Sequence, residues 1–196
     1  MMRLTLPGFF TVRGAQLEGR RVFVRPPRDA DWRGWAELRG QSRDFLMPWE
    51  PLWASDELSR ASFRRRVRHY LRDLREDVGY ALFIFAATTG DLVGGLTLCN
   101  VRRGVTQSCT LGYWVGARYA KQGYMTAAVR AVIPFVFDQL ELHRLEAACL
   151  PTNAASIRLL EKTGFKREGL ARRYLRINGV WQDHLLYALL DTDTHP

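Results

Sequence analysis

The chain has 196 residues, of which 47% are hydrophobic and 25% charged, and this composition excludes intrinsic disorder, collagen and coiled coil. Its length predicts a single domain over residues 1–196. No apolar run is long enough to cross a membrane, and Pro7 and Gly8 interrupt the opening apolar segment, which is atypical of a secretory signal.

The net charge of +9 indicates an anionic partner, such as nucleic acid or a phosphorylated ligand, unless it reflects only a high arginine content. The three cysteines are widely spaced and predict neither a disulfide framework nor a zinc site. Their pattern favours a cytoplasmic protein without a bound metal.

Local patterns predict helices and strands along most of the chain. In chain order, the expected elements are a strand at 21–25, a helix at 30–43, a helix at about 59–77, strands at 80–87, 92–101 and 108–115, a helix at about 124–139, a strand at 144–150, a helix at 154–163 and strands at 171–177 and 180–190. Asp29 and Asn153 are predicted N-caps, and Gly164 is a predicted helix end. Asn178-Gly179 predicts a tight hairpin turn.

Prolines and element order refine this prediction. Pro48 and Pro51 exclude a regular helix between them, and Pro134 predicts a kink or a local irregularity in its helix. A helix separates the strands at 108–115 and 144–150, so these two strands are expected to pair in parallel.

The junction between the strand at 108–115 and the following helix is the best candidate for a ligand site. A helix N-terminus presents unpaired N–H groups and the positive end of the helix dipole, and phosphates bind there. Gly123 would let the backbone approach a ligand closely. The candidate residues are Tyr113, Trp114, Val115, Lys121, Gln122, Gly123, Tyr124, Met125 and Thr126. The glycine patterns of a Walker loop and of a dinucleotide-binding loop are both absent from the sequence.

Several short motifs add a family resemblance. They are Pro48-Trp49-Glu50-Pro51, Leu111-Gly112-Tyr113-Trp114, Lys121-Gln122-Gly123-Tyr124-Met125, Asn153-Ala154-Ala155-Ser156, Gly164-Phe165, Glu168-Gly169 and Trp181-Gln182-Asp183-His184. With the order of the elements, they resemble the GNAT superfamily of acetyl-CoA-dependent N-acetyltransferases, and within it the RimJ-like ribosomal-protein-alanine N-acetyltransferases. The resemblance covers roughly residues 18–190, the expected core.

The resemblance implies an α/β (α+β) fold. Its features are a mixed, mostly antiparallel sheet, helices on both faces and a splayed pair of parallel strands that holds the pantetheine arm of the cofactor. Acetyl-CoA is the implied cosubstrate, with Asn153 and Ser156 joining the junction residues in binding it. Aligned on Gly123, the superfamily's pyrophosphate loop has its first and last positions at Ala120 and Met125. Both depart from the general pattern, although methionine fits the RimJ-like branch, and Lys121 and Arg118 could compensate at the first position.

The implied reaction is direct attack of an unprotonated amine on the acetyl thioester. Many superfamily members use a tyrosine seven residues after the asparagine to protonate the leaving thiolate, and that position here is Leu160. Ser156 is a candidate catalytic replacement through its hydroxyl, and a serine that bonds only to the local backbone is the alternative. Asn153 equally suits simple capping.

Glu50 is a candidate catalytic residue and, with Trp49, a candidate acceptor-binding residue. A carboxylate and an aromatic ring on a loop stiffened by two prolines suit a cationic peptide N-terminus, and a rigid surface turn is the alternative. The weaker candidates for a base are Glu146, Glu168, Asp183 and His184.

A stripe of arginines follows the predicted helix at 59–77. Arg64, Arg68, Arg72 and Arg75 recur at helical spacing, so they form either a solvated face or a surface that docks on the ribosome or its RNA. The predicted function is transfer of acetyl from acetyl-CoA to the N-terminal α-amine, in particular of alanine, of a small-subunit ribosomal protein. Two alternatives stay open: a small-molecule amine as acceptor, and a non-catalytic module that binds acyl-CoA or RNA.

Overall fold

A computed structural model describes residues 21–193, so the opening segment and the expected start of the core at residue 18 lie outside the described residues. The strands are β1 (Val22–Arg25), β2 (Tyr80–Ala86), β3 (Leu92–Arg102), β4 (Ser108–Val115), β5 (Arg144–Cys149), β6 (Lys166–Ile177) and β7 (Val180–Leu190). The helices are α1 (Trp32–Gln41), α2 (Arg43–Leu46), α3 (Arg60–Arg75), α4 (Tyr124–Pro134) and α5 (Ala154–Lys162). Among residues 21–193, no helix has the length and apolar character that crossing a membrane requires.

The strands form one seven-stranded sheet in the order β1-β2-β3-β4-β5-β7-β6. Neighbouring strands are antiparallel except β4 and β5, which run parallel. The parallel pairing extends only from Ser108 opposite Arg144 to Leu111 opposite Ala147, whereas β4 continues along β3 as far as Val115. The predicted mixed sheet with a splayed parallel pair is therefore confirmed.

Helices cover both faces of the sheet, as predicted. Every residue of β2 is buried, and successive side chains of a strand point to opposite faces. Phe83 and Phe85 pack with Trp35 of α1 and Phe63 of α3 on one face. Ile84 belongs to the larger core cluster on the other face, which includes residues of α4 and α5. Burial on both faces explains why β2 reads as a continuous apolar run.

The predicted cap of the first helix is wrong. Asp29 begins a short 3-10 turn, Asp29–Asp31, whose N-cap is Arg28, and α1 starts only after this turn. The Asp29 carboxylate instead accepts a hydrogen bond from Arg64 Nε at 3.0 Å. A long-range ion pair therefore occupies the side chain that local sequence assigned to capping.

The strand predicted to begin at residue 171 starts earlier, at Lys166, which lies opposite Ala188 of β7. Two register shifts interrupt the β6–β7 pairing. Such bulges add unpaired residues and disturb the two-residue alternation from which strands are recognised in a sequence.

Pro134 closes α4, and the backbone continues as a π-helical segment, Phe135–Gln139. Proline has no N–H to donate to the carbonyl four residues earlier, so the regular helical pattern cannot continue through it unchanged. The irregularity predicted at Pro134 is confirmed as a change of helix type.

Candidate active site

A cleft of about 620 Å³ opens where β4 and β5 diverge. Its walls come from α2 and the turn after it, the end of β4, the loop into α4 with the first turn of that helix, and α5. The predicted site residues that line it are Trp49, Glu50, Tyr113, Trp114, Val115, Lys121, Gly123, Tyr124, Met125, Thr126, Asn153 and Ser156. The fold thus brings together residues that lie more than one hundred positions apart in the sequence.

Gln122 is the predicted site residue that does not line this cleft. Its side-chain amide donates to the Arg118 carbonyl at 2.6 Å, and its own carbonyl accepts from Arg21 Nη1 at 2.6 Å. Gln122 therefore ties the loop before α4 to the start of β1.

The loop into α4 has the backbone shape expected for an anion site. Gly123 is the N-cap of α4 and has a left-handed φ of 84°. Tyr124, Met125 and Thr126 form the first turn of the helix and line the cleft, so its N-terminal end borders the cavity. This arrangement fits the pyrophosphate of CoA, because backbone N–H groups at such an end bind phosphate whatever the side chains.

Cations lie along the same cleft. Lys121 lines it, whereas Arg118 does not and stacks its guanidinium carbon 4.7 Å from the Tyr119 ring centre. Arg158 and Lys162 of α5 also line the cleft, and sequence analysis missed both. The sequence did contain an indication of them, because a spacing of four residues places two cations on one face of a helix.

Two hydroxyl groups meet in the cleft. Tyr113 Oη of β4 lies 2.5 Å from Ser156 Oγ in the first turn of α5. The backbone N–H of Ser156 donates to Asn153 Oδ1 at 3.0 Å, which confirms Asn153 as the N-cap. Burial raises the pKa of Tyr113 above its ordinary value, so the phenol stays protonated and can donate to Ser156.

Leu160, at the position where the resembled superfamily has a tyrosine, is fully buried and packs in the main core cluster. It does not line the cleft. The hydroxyls available along this wall therefore include those of Tyr113 and Ser156, from β4 and the start of α5.

Both carboxylate oxygens of Glu50 accept hydrogen bonds from neighbouring side chains. Arg39 donates through Nη1 to Oε1 at 2.9 Å and through Nη2 to Oε2 at 2.6 Å. Trp53 Nε1 also donates to Oε2, at 2.8 Å. The carboxylate is thereby fixed to the loop and to α1, and its catalytic role stays a prediction.

Arg39 is a buried residue that sequence analysis missed. Its side chain is only 7% exposed, and its guanidinium carbon lies 4.4 Å from the Trp53 ring centre and 5.0 Å from that of Trp114. Cation–π contacts of this kind favour a desolvated guanidinium. The sequence indicated its burial through its position four residues after Trp35, which places both side chains on the buried face of α1.

A second cavity, of about 360 Å³, borders the first. Glu50, Tyr113 and Trp114 line both, so the two cavities meet at the end of β4. Glu57 and Tyr70 contribute a carboxylate and an aromatic ring to the second cavity.

The weaker candidates for a base do not line either cavity. Glu146 and Glu168 both pair with Arg144, and this hydrogen-bonded guanidinium holds the pKa of Glu168 below its usual value. Asp183 accepts a backbone hydrogen bond from β6, and His184 is buried.

The arginine stripe of α3 is partly neutralised by carboxylates from outside the helix. Arg64 pairs with Asp29, Arg65 with Asp56 and Arg66 with Glu57. The remaining predicted docking residues, Arg68, Arg72 and Arg75, are exposed. Much of the helix's positive charge is therefore offset within the fold.

Comparison with known proteins identifies the family. Residues 21–166 match the acetyltransferase (GNAT) domain. The chain is 37% identical over 177 residues to the probable N-acetyltransferase YjcK of Bacillus subtilis (strain 168), covering 90% of this chain and 98% of that protein. It is 32% identical over 177 residues to the [Ribosomal protein uS5]-alanine N-acetyltransferase of Escherichia coli (strain K12), covering 90% and 91%.

A solved structure agrees with these relatives. Mycobacterium smegmatis RimJ in complex with CoA-disulfide superposes with a TM-score of 0.82 at 34% identity, covering 86% of this chain and 81% of that one. The resemblance stated from the sequence motifs is confirmed. The chain belongs to the GNAT acetyltransferases and is an N-acetyltransferase with acetyl-CoA as its cosubstrate.

Proposed function

We propose that this chain is a cytoplasmic enzyme that acetylates the N-terminal α-amine of a small-subunit ribosomal protein, with alanine as the acceptor residue. The observation that carries the proposal is the junction of the two cavities at Glu50, Tyr113 and Trp114. There the acetyl thioester would meet a cationic chain end held by the second cavity. The relative named for uS5-alanine, similar over 90% of this chain, supports this acceptor class.

The chemistry of the junction favours an α-amine over a lysine side chain. Only the unprotonated amine attacks a thioester, and an α-amine has a pKa of about 7.7–8, against about 10.4 for lysine. Glu50, the carboxylate that borders both cavities, already accepts a hydrogen bond from Arg39 on each of its two oxygens. An α-amine is already partly unprotonated near neutral pH, so it needs little help from a general base in the site.

Ser156 is the proposed acid of the reaction. The amine attacks the acetyl carbon, the carbon–sulfur bond then breaks, and the sulfur gains the proton that the amine loses overall. The Ser156 hydroxyl would donate to the departing sulfur, while Tyr113 donates to Ser156 Oγ and leaves the serine proton free to point into the cleft. Lys121, Arg158 and Lys162 would neutralise the CoA phosphates.

Docking on the ribosome through α3 also stays a proposal. Arg64 is held by Asp29 and Arg72 lies 4.0 Å from Asp73, so Arg68 and Arg75 are the arginines of the predicted set that remain available for phosphate contacts among the described residues.

Acetylation of ribosomal proteins from a strain that lacks this enzyme tests the acceptor. Incubation with labelled acetyl-CoA, followed by mass spectrometry of N-terminal peptides, is expected to show one small-subunit protein acetylated at its N-terminal alanine. A strain that carries the active enzyme is the control, because its acceptor is already modified. Label found only on small-molecule amines would contradict the proposal and favour the alternative acceptor.

Replacing Gly123 by alanine is expected to raise the KM for acetyl-CoA about tenfold. A left-handed conformation costs a residue with a Cβ about 1–2 kcal/mol, and the added Cβ would stand 3.2 Å from Arg21 Nη1. Steady-state kinetics measure the effect. Gly90→Ala, with a φ of 75° in the β2–β3 turn, is the matched control and should leave this KM unchanged. An equal rise in both variants would remove Gly123 from the cofactor site.

A further inference from the structure

The β6–β7 hairpin carries arginines whose charge the fold does not neutralise. Between Gly169 and Gln182 the sequence has three arginines, at 172, 173 and 176, and no acidic residue. All three are exposed, and in the described part of the chain none forms an ion pair. One guanidinium hydrogen bond of this group is seen, from Arg176 Nε to the Gly179 carbonyl at 2.9 Å.

This surface differs from α3 in its balance of charge. Asp29, Asp56 and Glu57 reach α3 from outside and pair with its arginines. Within residues 21–193, no carboxylate forms an ion pair with Arg172, Arg173 or Arg176, and the side chain of Asp183 accepts from the backbone N–H of Arg173 rather than from a guanidinium. Positive charge on the hairpin is therefore available to an anionic partner without the loss of an internal ion pair.

Exposed aromatic rings accompany these arginines. Trp181 is 59% exposed and Tyr174 is 48% exposed, values unusual for side chains with so much apolar surface. Arg176 lies directly opposite Trp181 in the strand register, so the two side chains share one face of the hairpin. Guanidinium groups that bind phosphate beside a flat exposed ring are the pattern by which proteins hold single-stranded nucleic acid.

Strand geometry argues against a second copy of the chain as the occupant. β6 is the edge strand of the sheet, and an unbroken edge could add another strand. Two register shifts interrupt β6, however, and bulges of this kind twist an edge away from regular pairing. Recognition by side chains fits this hairpin better than recognition by backbone pairing.

The hairpin also lies beside the acceptor site. At its tip, the backbone N–H of Asn178 donates to the Glu50 carbonyl at 2.9 Å. Glu50 borders both cavities, so a ligand on the hairpin would lie close to the place where the acceptor amine arrives.

We propose that Arg176 and Trp181, which share one face of the hairpin, form with Arg172 and Arg173 from the irregular part of β6 a binding surface for single-stranded RNA next to the acceptor site. The arginines contact phosphates and the indole stacks on a base. The inference rests on the proposed function, because a ribosomal acceptor presents RNA around its protein N-termini. RNA binding is nevertheless measured without any acetyl transfer.

Fluorescence anisotropy of a labelled oligouridine with the full chain tests this surface over a range of salt concentrations. The triple variant R172Q/R173Q/R176Q is expected to bind at least about tenfold more weakly, with a salt slope shallower by about two to three. Trp181→Ala should weaken binding about tenfold without changing the slope, because stacking releases no counterions. R68Q/R72Q/R75Q on α3 removes the same number of positive charges and is the matched comparison, expected to weaken binding of this oligouridine clearly less than the hairpin variant, because Asp73 on the same helix already lies 4.0 Å from Arg72.

Three outcomes would overturn the proposal: parent-like RNA binding by the hairpin variant, an equal loss in the α3 variant, or a preference of the hairpin for an acidic peptide over RNA. Acetylation of a short alanine-terminated peptide is expected to stay unchanged in the hairpin variants, which shows that they are folded. If the parent fails to acetylate that peptide, the proposed acceptor fails, and the anisotropy still decides the RNA surface.

Discussion

Replacing Ser156 by alanine is expected to lower kcat at least about 100-fold, the lower range for loss of a general acid, with little change in the KM for acetyl-CoA. The substitution removes the hydroxyl that lies 2.5 Å from Tyr113 Oη. It keeps the backbone N–H that donates to Asn153, so the cap of α5 persists. Steady-state kinetics with a short alanine-terminated peptide, together with the thermal midpoint, separate a catalytic role from a structural one.

Tyr113→Phe provides the companion measurement. It keeps the ring and removes one hydrogen bond, worth about 1 kcal/mol, so kcat should fall about fivefold to tenfold. If Tyr113 acts through Ser156, the double variant loses little more than Ser156→Ala alone. Ser156→Thr, which retains a hydroxyl, should recover part of the activity. Additive losses would contradict the coupling, and a parent-like kcat in Ser156→Ala would leave that serine with its local backbone role.

Replacing Arg39 by methionine is expected to lower the free energy of unfolding by about 3 kcal/mol, because breaking a buried ion pair leaves a carboxylate without its partner. The Glu50 carboxylate would keep only the Trp53 hydrogen bond among the three described here. Urea unfolding measures the change. Arg65→Ala, which breaks the exposed pair with Asp56, is the control and should cost less than about 1 kcal/mol.

Glu50→Gln separates stability from catalysis at the same pair. Combined with Arg39→Met, it is expected to recover part of the lost stability, since no unpaired carboxylate remains. As a single change, it should lower kcat/KM for the acceptor while the affinity for acetyl-CoA stays intact. An unchanged acceptor kcat/KM would assign Glu50 a purely structural role. Equal stability of the parent and Arg39→Met would contradict the importance of the pair.

Local signals were sufficient for much of the fold. Asn153 caps α5 and Asn178-Gly179 joins β6 and β7, as predicted, because each depends on neighbours in the sequence. The parallel pairing of β4 and β5 was predictable too, since a helix between two strands reverses the chain twice. Asp29 was misassigned because its partner, Arg64, lies 35 residues away.

The candidate site was predictable as a group of residues but not as a set of contacts. Motifs indicated which segments line the cleft, yet the hydrogen bond between Tyr113 and Ser156 joins residues 43 positions apart. Likewise, the pair of Arg39 and Glu50 spans α2 and an irregular turn, so no helical spacing relates the two residues. Such contacts follow from the packing of the sheet and helices rather than from any local preference.

The early end of the parallel pairing, at Leu111 opposite Ala147, implies a conflict between stability and activity. Sequence changes that extended the β4–β5 ladder toward Val115 would satisfy more backbone groups and stabilise the sheet. The same changes would close the cleft that, in the proposed mechanism, holds the thioester. Selection for thermostability alone is therefore expected to act against catalysis at this position, and stabilising substitutions are best sought on the opposite edge, around β1 and β2.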